Sequence, residues 1–458
     1  MNDYRMPLFT YSQAPLVGLG GLSVMTARLA AAFWGILSVA AIYWLGNLMF
    51  KRPVGLAAAL FLALSPWAVP FGRIAHEGST VILAAILTIG LFWRWKQEEQ
   101  WYWLAAAAGV FGLGLYTYSV MKLFLPMMVG APVVIFWRQV VQHWRQVIVA
   151  VFIGGLLTAP MLYNTLRYTD EMQARYQQIA VFRPERPLLE AAQEVVRNAW
   201  YNLSPDFMFG RGDLDALQHP PGLGQLYLVQ APLILLGIAW GIRKGRYRQP
   251  TIVTVLWILA AVIPAALTHP NLPGSGHSLR ALEGAVPWQL LSGLGLVEWL
   301  MYLRERWLRW TFLLLVLTLV AIPALPYFGY YFTDYPGEYG YLFNVGLKNA
   351  AVAMDKVDDE YENVYISCKA YWPYLYVLFF TRYDPHLLQT DLPVRGEELF
   401  APVSRVGKYH NVCNTEELWA QGEEGLFIVP MDELAGAEPL VVVPGWNGQP
   451  EYKLVGRR

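Results

Sequence analysis

Residues 22–48 have the sequence LSVMTARLAAAFWGILSVAAIYWLGNL, a run of 27 residues whose only charged side chain is Arg28. An α-helix rises about 1.5 Å per residue, so about 20 apolar residues cross the hydrocarbon core of a bilayer. This run is long enough, and it is apolar on every side, as expected of a helix buried in lipid or protein. The stretch therefore predicts a membrane-spanning helix.

Nine further apolar runs follow the first. Together they predict ten spans, at 22–48, 54–72, 78–94, 101–119, 122–138, 147–165, 224–242, 251–268, 279–303 and 309–326. Of the 458 residues, 56% are hydrophobic and only 15% are charged, whereas soluble domains usually carry about 25% charged residues. This composition excludes a soluble enzyme, a disordered protein and a disulfide-stapled secreted domain. The formal net charge of zero gives no reason to expect nucleic acid as a partner.

Charge divides the sequence into two parts. Residues 327–458 contain 10 Lys and Arg against 19 Asp and Glu, a net charge of −9, which leaves 24 against 15, or +9, for residues 1–326. We therefore expect a membrane domain over 1–326, with an outer loop at 166–223, and an acidic domain over 327–458. The acidic part has helix signals at 342–357 and 371–383 and strand signals at 363–368, 425–429 and 440–443. This alternation predicts a small α/β domain.

The Lys and Arg residues of the short loops predict the orientation. Three of them, Arg73, Lys122 and Arg280, lie on one side of the spans, and thirteen lie on the other side. Positive residues are retained in the cytoplasm, so loop 166–223 and the C-terminal domain are expected outside, in a multi-pass protein of the plasma (inner) membrane. Within this loop, residues 188–200 have helical spacing and are expected to lie along the membrane surface.

The predicted orientation puts the N-terminus outside, although residues 1–21 contain neither a signal peptide nor an earlier span. We interpret this start as part of an outer loop, so that at least one upstream span is missing; a true outer N-terminus is the alternative. The only cysteines are Cys368 and Cys413, both in the exported part. Outside the cell they can form a disulfide, and two unpaired thiols are the alternative.

Four polar clusters lie on the predicted outer side, where charges near a bilayer are costly and are usually kept for function or for a partner. They are residues 3–15, with Asp3 and Tyr11; Arg73, His76 and Glu77; Tyr116, Tyr118 and Lys122; and His277 with Arg280. Arg–His pairs suit a phosphate group, and the last cluster leads into a helix N-terminus, which favours an anion. Each cluster also has a plainer interpretation. These are a simple loop, an Arg73–Glu77 ion pair with His76 exposed, an interfacial aromatic belt and an Arg280–Glu283 pair.

Several short motifs resemble those of a known family. They are PLFTY at 7–11, APL at 14–16, LSVMTARL at 22–29, ALSPW at 63–67, RIAHE at 73–77, GLYTYS at 114–119 and HSLR at 277–280. In their order and topology they resemble GT-C superfamily membrane glycosyltransferases. The nearest groups are the dolichyl-phosphate-mannose protein mannosyltransferases (glycosyltransferase family 39) and the bacterial phospholipid-carrier-dependent transferases. The resemblance implies a GT-C-like α-helical polytopic bundle, here with the small C-terminal α/β domain.

The resemblance also implies an activity. A hexosyl or pentosyl group would move, with inversion, from a polyprenyl-phosphate donor to a hydroxyl of an acceptor glycan, lipid or protein at the outer face. By position, the donor phosphate would be bound by Arg73, His76, His277 and Arg280, and the substrate groove lined by Tyr11, Glu77, Tyr116, Tyr118 and Lys122. A carboxylate of the first outer loop would be the base. The family's acidic motif is absent from this loop, where Asp3 is the only acid, so we expect the base to be missing upstream.

Two other functions and one cofactor stay open at this point. A transporter or lipid-linked glycan flippase would need charges or broken helices near the middle of the membrane, and the spans contain almost no ionisable groups. A non-catalytic truncated membrane scaffold would explain the missing acidic motif. A divalent metal is an open cofactor, although the spacing of the outer-loop acids Asp170, Glu171, Asp206, Asp213 and Asp215 matches no metal motif.

Overall fold

The computed structural model of the chain describes residues 5–168, 179–370, 373–390, 393–395 and 403–458. These residues form two compact units, with the boundary in the sequence between Phe328 and Gly329. The first unit is built of helices, and the second combines helices with a β-sheet.

The helices of the first unit follow the apolar runs of the sequence. Their bounds are Pro7–Gly20, Val24–Met49, Arg52–Ala63, Ala68–Phe71, Val81–Glu98, Trp101–Gly114, Met121–Ile135, Trp137–Gln142, Trp144–Arg167, Leu188–Leu203, Pro205–Phe209, Gln230–Arg243, Gly245–Ala266, Ala285–Tyr302 and Arg306–Thr333. Two 3-10 turns, Glu77–Thr80 and Leu282–Gly284, lead directly into the helices that follow them. Every predicted span overlaps at least one of these helices, which confirms the α-helical polytopic class.

Helix lengths differ from the prediction of ten full spans. Five described helical segments are long and apolar enough to cross a membrane: Val24–Met49, Glu77–Glu98, Trp144–Arg167, Gly245–Ala266 and Arg306–Thr333. Four other apolar helices are shorter: Arg52–Ala63, Trp101–Gly114, Met121–Ile135 and Gln230–Arg243. A helix of 12 to 15 residues reaches only about 18–23 Å, less than the ~30 Å of a hydrocarbon core. Hydropathy alone does not detect the turns that end these helices early.

The helix Ala285–Tyr302 is buried on most of its surface within the first unit. Its Gly295 lies directly against the helix Gln230–Arg243: a Cβ atom at this glycine would overlap the backbone oxygen of Leu233. The two backbones therefore approach more closely than any larger side chain allows.

The first described segment, which the sequence analysis places before the first span, contains a helix. The helix Pro7–Gly20 begins with proline, which is tolerated in a first turn because its missing N–H has no helical partner there. Phe9 is buried against the start of the helix Val24–Met49, and the Trp34 indole N–H donates to the Ser12 hydroxyl at 3.0 Å. This packing, and not local composition, orders the segment.

The helix predicted within residues 188–200 is confirmed as Leu188–Leu203. Its buried residues are Ala191, Glu194, Asn198 and Asn202. Its large apolar side chains are mostly exposed: Leu188 74%, Leu189 70%, Val196 70% and Trp200 62%. The polar face thus packs against the protein and the apolar face points outward, as expected of a helix that lies along a membrane surface.

The second unit has a seven-stranded sheet among its described residues. The strands are β1 Val364–Ser367, β2 Val394–Arg395, β3 Val403–Val406, β4 Tyr409–Val412, β5 Gly425–Pro430, β6 Val441–Pro444 and β7 Pro450–Arg457. Their order is β2-β3-β4-β1-β5-β7-β6, in which β1 is parallel to both neighbours and the other pairs are antiparallel. The helices are Tyr335–Tyr339, Val345–Met354, Pro373–Phe380, Pro385–Thr390 and Thr415–Gln421.

This unit confirms the small α/β fold. The three predicted strands correspond to β1, β5 and β6, and the two predicted helices contain Val345–Met354 and Pro373–Phe380. Residues 371–372 of the second helix signal lie outside the described residues. A disulfide joins Cys368 and Cys413, each directly after one of the parallel neighbours β1 and β4.

Candidate active site

His76 ends the loop before the long helix Val81–Glu98. Its Nδ1 accepts a hydrogen bond from the Gly78 N–H at 3.0 Å, so the proton of the neutral ring is on Nε2. Burial, and then the positive charge of Arg5, lower the pKa of His76 to about 4. The ring is therefore neutral at pH 7, partly buried rather than exposed, and offers an N–H donor instead of a positive charge.

The N-terminal segment is bound to two of the other predicted clusters. The Met6 N–H donates to Glu77 Oε2 at 2.6 Å. The Leu8 N–H donates to the backbone oxygen of Tyr116 at 3.1 Å. Residues 5–9 thus lie between the loop that carries Glu77 and the turn that carries Tyr116, and three of the four clusters come together.

Two further candidates complete this surface. The Tyr118 ring meets the His76 ring edge to face, with 6.0 Å between the ring centroids. Lys122, in the first turn of the helix Met121–Ile135, is half-buried and lies within electrostatic range of Glu77. A cation, a carboxylate, an imidazole and a phenol ring are therefore neighbours.

Two of the predicted groove tyrosines are placed differently. The Tyr116 hydroxyl donates to the Leu157 oxygen at 2.8 Å and accepts from the Met161 N–H at 3.1 Å. It thereby bridges a helical turn that contains Pro160, and its hydroxyl is used in holding that turn. Tyr11 is 73% exposed, and no hydrogen bond or ring contact among the described residues joins it to the other candidates.

The loop that carries HSLR at 277–280 is fixed through Ser278. The Ser278 backbone N–H donates to Asp213 Oδ2 at 2.7 Å, and the Ser278 backbone oxygen accepts from the Trp67 indole N–H at 2.9 Å. Its hydroxyl accepts from the side-chain amide of Gln225 at 2.8 Å. All four residues are buried, so this loop has little freedom to move.

His277 is buried, with 4% of its surface exposed. Its N–H donates to Asn202 Oδ1 at 2.9 Å, while its ring Nδ1 has no hydrogen-bond partner in the described part of the chain. Burial, and then the charge of Arg280, hold the pKa of His277 well below its usual value. Like His76, it is a neutral imidazole.

Arg280 is held by two residues that follow the helix Gly245–Ala266. Its Nη1 donates to the Thr268 hydroxyl at 2.8 Å and to the His269 oxygen at 2.7 Å. The His269 ring lies 2.6 Å from the carboxylate of Glu194. Both carboxyl oxygens of Glu283 are buried without a hydrogen-bond partner among the residues described, so the alternative Arg280–Glu283 pair is wrong.

The two candidate loops are direct neighbours. The Leu279 side chain packs on Gly78 so closely that a Cβ atom at this glycine would overlap it. The Trp67 indole, from the turn after the helix Arg52–Ala63, donates to the loop at Ser278. All four predicted clusters therefore belong to one contiguous region of the first unit.

The predicted acids do not form a metal site within the described ranges. No group there of three or more His, Cys, Asp or Glu side chains could hold a metal ion. Asp213 accepts from the N–H groups of Ser278 and Asp215, and burial raises its pKa to about 6. Asp206 pairs with Arg211 at 2.6 Å. Three of the named acids lie outside the described residues: Asp3, Asp170 and Glu171.

The sequence analysis did not identify the supports of Arg280. Glu194 also pairs with Arg186 at 2.5 Å; burial raises its pKa, but the hydrogen bonds from Arg186 and His269 outweigh this and leave the pKa below its usual value. Glu194, Asn198 and Asn202 are four residues apart, so they lie on one helix face. This polar spacing was the signal that could have revealed the support.

Comparisons with known proteins agree with this fold. A profile of the dolichyl-phosphate-mannose-protein mannosyltransferase family matches residues 5–164. No curated protein sequence matches the chain significantly.

Solved structures with the same fold extend the comparison to the whole chain. ArnT from Cupriavidus metallidurans bound to undecaprenyl phosphate is 15% identical, with 98% of this chain and 87% of that chain covered and a TM-score of 0.61. Its apo state gives 13% identity, the same coverage and 0.58. The apo oligosaccharyltransferase of Archaeoglobus fulgidus gives 14% identity, 93% and 62% coverage, and 0.50. The family profile thus matches about a third of the chain, and the likeness to these solved structures shows that the chain shares their fold.

Proposed function

We propose that this multi-pass membrane protein transfers a sugar from a polyprenyl-phosphate donor to an acceptor hydroxyl at the outer membrane face, with inversion at the anomeric carbon. The match of residues 5–164 to a mannosyltransferase family supports sugar transfer, and ArnT, which shares the fold, binds undecaprenyl phosphate in its crystal structure. The observation that carries the proposal is the contact between Leu279 and Gly78, because it joins the loop of Arg280 to the loop of Arg73.

The reaction creates negative charge on the leaving group. The acceptor oxygen forms a bond to the anomeric carbon, the bond from that carbon to the phosphate oxygen breaks, and the acceptor proton passes to a base. Donors already oriented toward the departing phosphate lower the barrier, since charge develops there in the transition state. We assign this role to Arg73 and Arg280.

The two histidines would act differently from the arginines. Because His76 and His277 are neutral, they would bind phosphate through N–H groups without adding positive charge. We therefore attribute the charge stabilisation to the arginines and the orientation of the phosphate to the histidines. Tyr118 and Lys122, which adjoin His76 and Glu77, are proposed to line the sugar side of the groove.

The proposed reaction needs a base that takes the acceptor proton. The family resemblance implies a carboxylate in the first outer loop, and Asp3 lies outside the described residues. Glu77, whose carboxylate accepts the Met6 N–H at 2.6 Å, is the described carboxylate that we propose for contact with the acceptor.

The test is sugar transfer in proteoliposomes with a panel of polyprenyl-phosphate sugars. We expect transfer from at least one donor, and we expect Arg280→Ala and Arg73→Ala each to reduce it by about 100-fold, the effect of removing one preorganised donor in the transition state. Arg280→Lys should recover part of the activity, since the charge returns without the two-pronged geometry.

The matched control is Arg248→Ala, which removes an exposed arginine from the helix Gly245–Ala266, far from both loops in sequence. It should leave transfer unchanged. Normal turnover in both Arg280→Ala and Arg73→Ala would exclude the phosphate assignment. Movement of the intact donor across the bilayer without loss of its sugar would instead identify a flippase.

A further inference from the structure

A second charged site lies at the other end of the helix Ala285–Tyr302. A cavity of about 440 Å³ is lined by Lys244, Gly245, Arg246, Tyr247, Glu298 and Met301. Its volume is within the range of about 300–1,000 Å³ that is usual for small-ligand sites. Glu298 is 18 residues after Arg280, or about 27 Å along a helical path, so this cavity is separate from the candidate active site.

The cavity contains more positive than negative charge. Glu298 is 1% exposed, and its carboxylate is shared by two lysines, Lys51 at 2.5 Å on one oxygen and Lys244 on the other. One lysine would neutralise this carboxylate. The second lysine and Arg246 leave a net charge of +2 around the cavity, which an anion bound there would balance.

Arg246 is positioned to meet such an anion. Its guanidinium lies over the Tyr247 ring, 4.4 Å from the centroid, and it donates to the Tyr247 hydroxyl. Tyr247 is itself buried, so it gives the Arg246 guanidinium a fixed surface to lie on. A guanidinium has five N–H donors in all, more than the contact with Tyr247 uses. The helix Gly245–Ala266 also begins here without a side-chain cap, which adds backbone N–H groups at the same place.

We propose that the cavity between Lys244, Arg246 and Glu298 binds a phosphate group of net negative charge, the chemistry shared by an anionic phospholipid headgroup and free inorganic phosphate. Met301 lines the same cavity and is 58% exposed, so it provides an apolar surface beside the charges. Basic pockets between membrane helices are suited to such headgroups. This site does not depend on the proposed sugar transfer.

The test uses the full chain in nanodiscs, followed by native mass spectrometry of the retained lipid. Wild type should retain phosphatidylglycerol and not zwitterionic phosphatidylcholine. Arg246→Gln should lower the ratio of bound to free phosphatidylglycerol by about tenfold, the effect of one charge-assisted hydrogen bond. Arg248→Gln is the matched control, since it removes the same charge from the same helix outside the cavity, and Arg246→Lys should stay within about threefold of wild type.

A second arm distinguishes the sources. Inorganic phosphate is titrated calorimetrically into the chain in phosphatidylcholine nanodiscs; saturable binding weakened by Arg246→Gln, without retention of phosphatidylglycerol, identifies free phosphate as the ligand. Retention of phosphatidylglycerol without phosphate binding identifies the headgroup. Equal losses in Arg246→Gln and Arg248→Gln, or equal retention of the two lipids by wild type, would overturn the proposal. The wild-type comparison applies even if a variant fails to fold.

Discussion

The buried histidines of the first unit show how environment changes the role of a side chain. At an exposed position, histidine is partly charged near neutral pH. Here burial holds the pKa of His76 and His219 at about 4 and that of His277 well below its usual value. The positive charge of the candidate site therefore comes from arginine and lysine, and not from histidine as a simple count of basic residues suggests.

The same burial makes stability depend on pH. His219 is 1% exposed, and its Nε2 bonds to the Leu223 oxygen at 2.7 Å. Its pKa is lower in the folded chain, about 4, than in the unfolded chain, about 6.5, so the unfolded chain binds more protons between these values. The stability contributed by neutral His219 is complete above pH 6.5 and is lost as the pH falls toward 4, by about 3 kcal/mol.

His219→Gln should remove this share of the pH dependence, because the amide can still donate to Leu223 and does not titrate. The measurement is the free energy of unfolding in detergent from pH 7 to pH 4. Asp213 works in the opposite direction, since its raised pKa stabilises the folded chain at low pH. Because both proteins contain Asp213, the curve of His219→Gln is subtracted from the wild-type curve, and the difference isolates the contribution of His219. His386→Gln, an exposed control, should follow wild type. Identical slopes for wild type and His219→Gln would contradict the buried neutral state.

At the scale of elements, close helix packing depends on particular glycines. Gly295 lies against the Leu233 backbone oxygen, with no space for a Cβ atom. We expect Gly295→Ala to force the helices apart and to destabilise the first unit by about 1–3 kcal/mol, the usual cost of overpacking. Thermal unfolding in detergent measures this.

Gly155→Ala, in the helix Trp144–Arg167, is the matched comparison for Gly295→Ala. Gly155 is also a helical glycine, and nothing lies within 4 Å of the position its Cβ atom would take. Since alanine favours the helix more than glycine does, this variant should be neutral or slightly stabilised. Equal effects of the two substitutions would show that helix propensity, rather than the close approach, determines the result.

The helix Leu188–Leu203 gives a second prediction at this scale. Its exposed apolar residues are expected to face lipid, so an environment-sensitive fluorophore on Val196→Cys should report an apolar surrounding in liposomes. The same label on Glu190→Cys, exposed on another face of the helix, should report water. Aqueous signals at both positions would exclude a helix lying along the membrane.

At the scale of the whole molecule, the asymmetry of basic residues predicts which ends face the cytoplasm. Arg248 is exposed on the strongly basic side, and Lys348 is exposed in the acidic second unit. We expect an impermeant thiol reagent applied outside intact cells to label Lys348→Cys and not Arg248→Cys. The native cysteines are joined in a disulfide and do not interfere. The reverse labelling pattern would overturn the predicted orientation.

The sequence by itself determined the helical class, the small α/β unit and the four polar clusters. Runs of apolar residues force helices in lipid, because every backbone polar group must be paired there. The polar clusters could be found for a similar reason, because the members of each cluster lie close together in the sequence. The similarity of short motifs to the GT-C superfamily was visible for the same reason.

Only the tertiary structure decided which helices are long, and how the clusters meet. The helix at Pro7–Gly20 depends on the contact of Phe9 with a neighbouring helix, and Tyr116 is recruited to bridge a turn at Pro160. The packing of Leu279 on Gly78 joins residues about 200 positions apart in the chain. Such contacts depend on which surfaces are buried together, and local hydropathy and residue spacing do not contain that information.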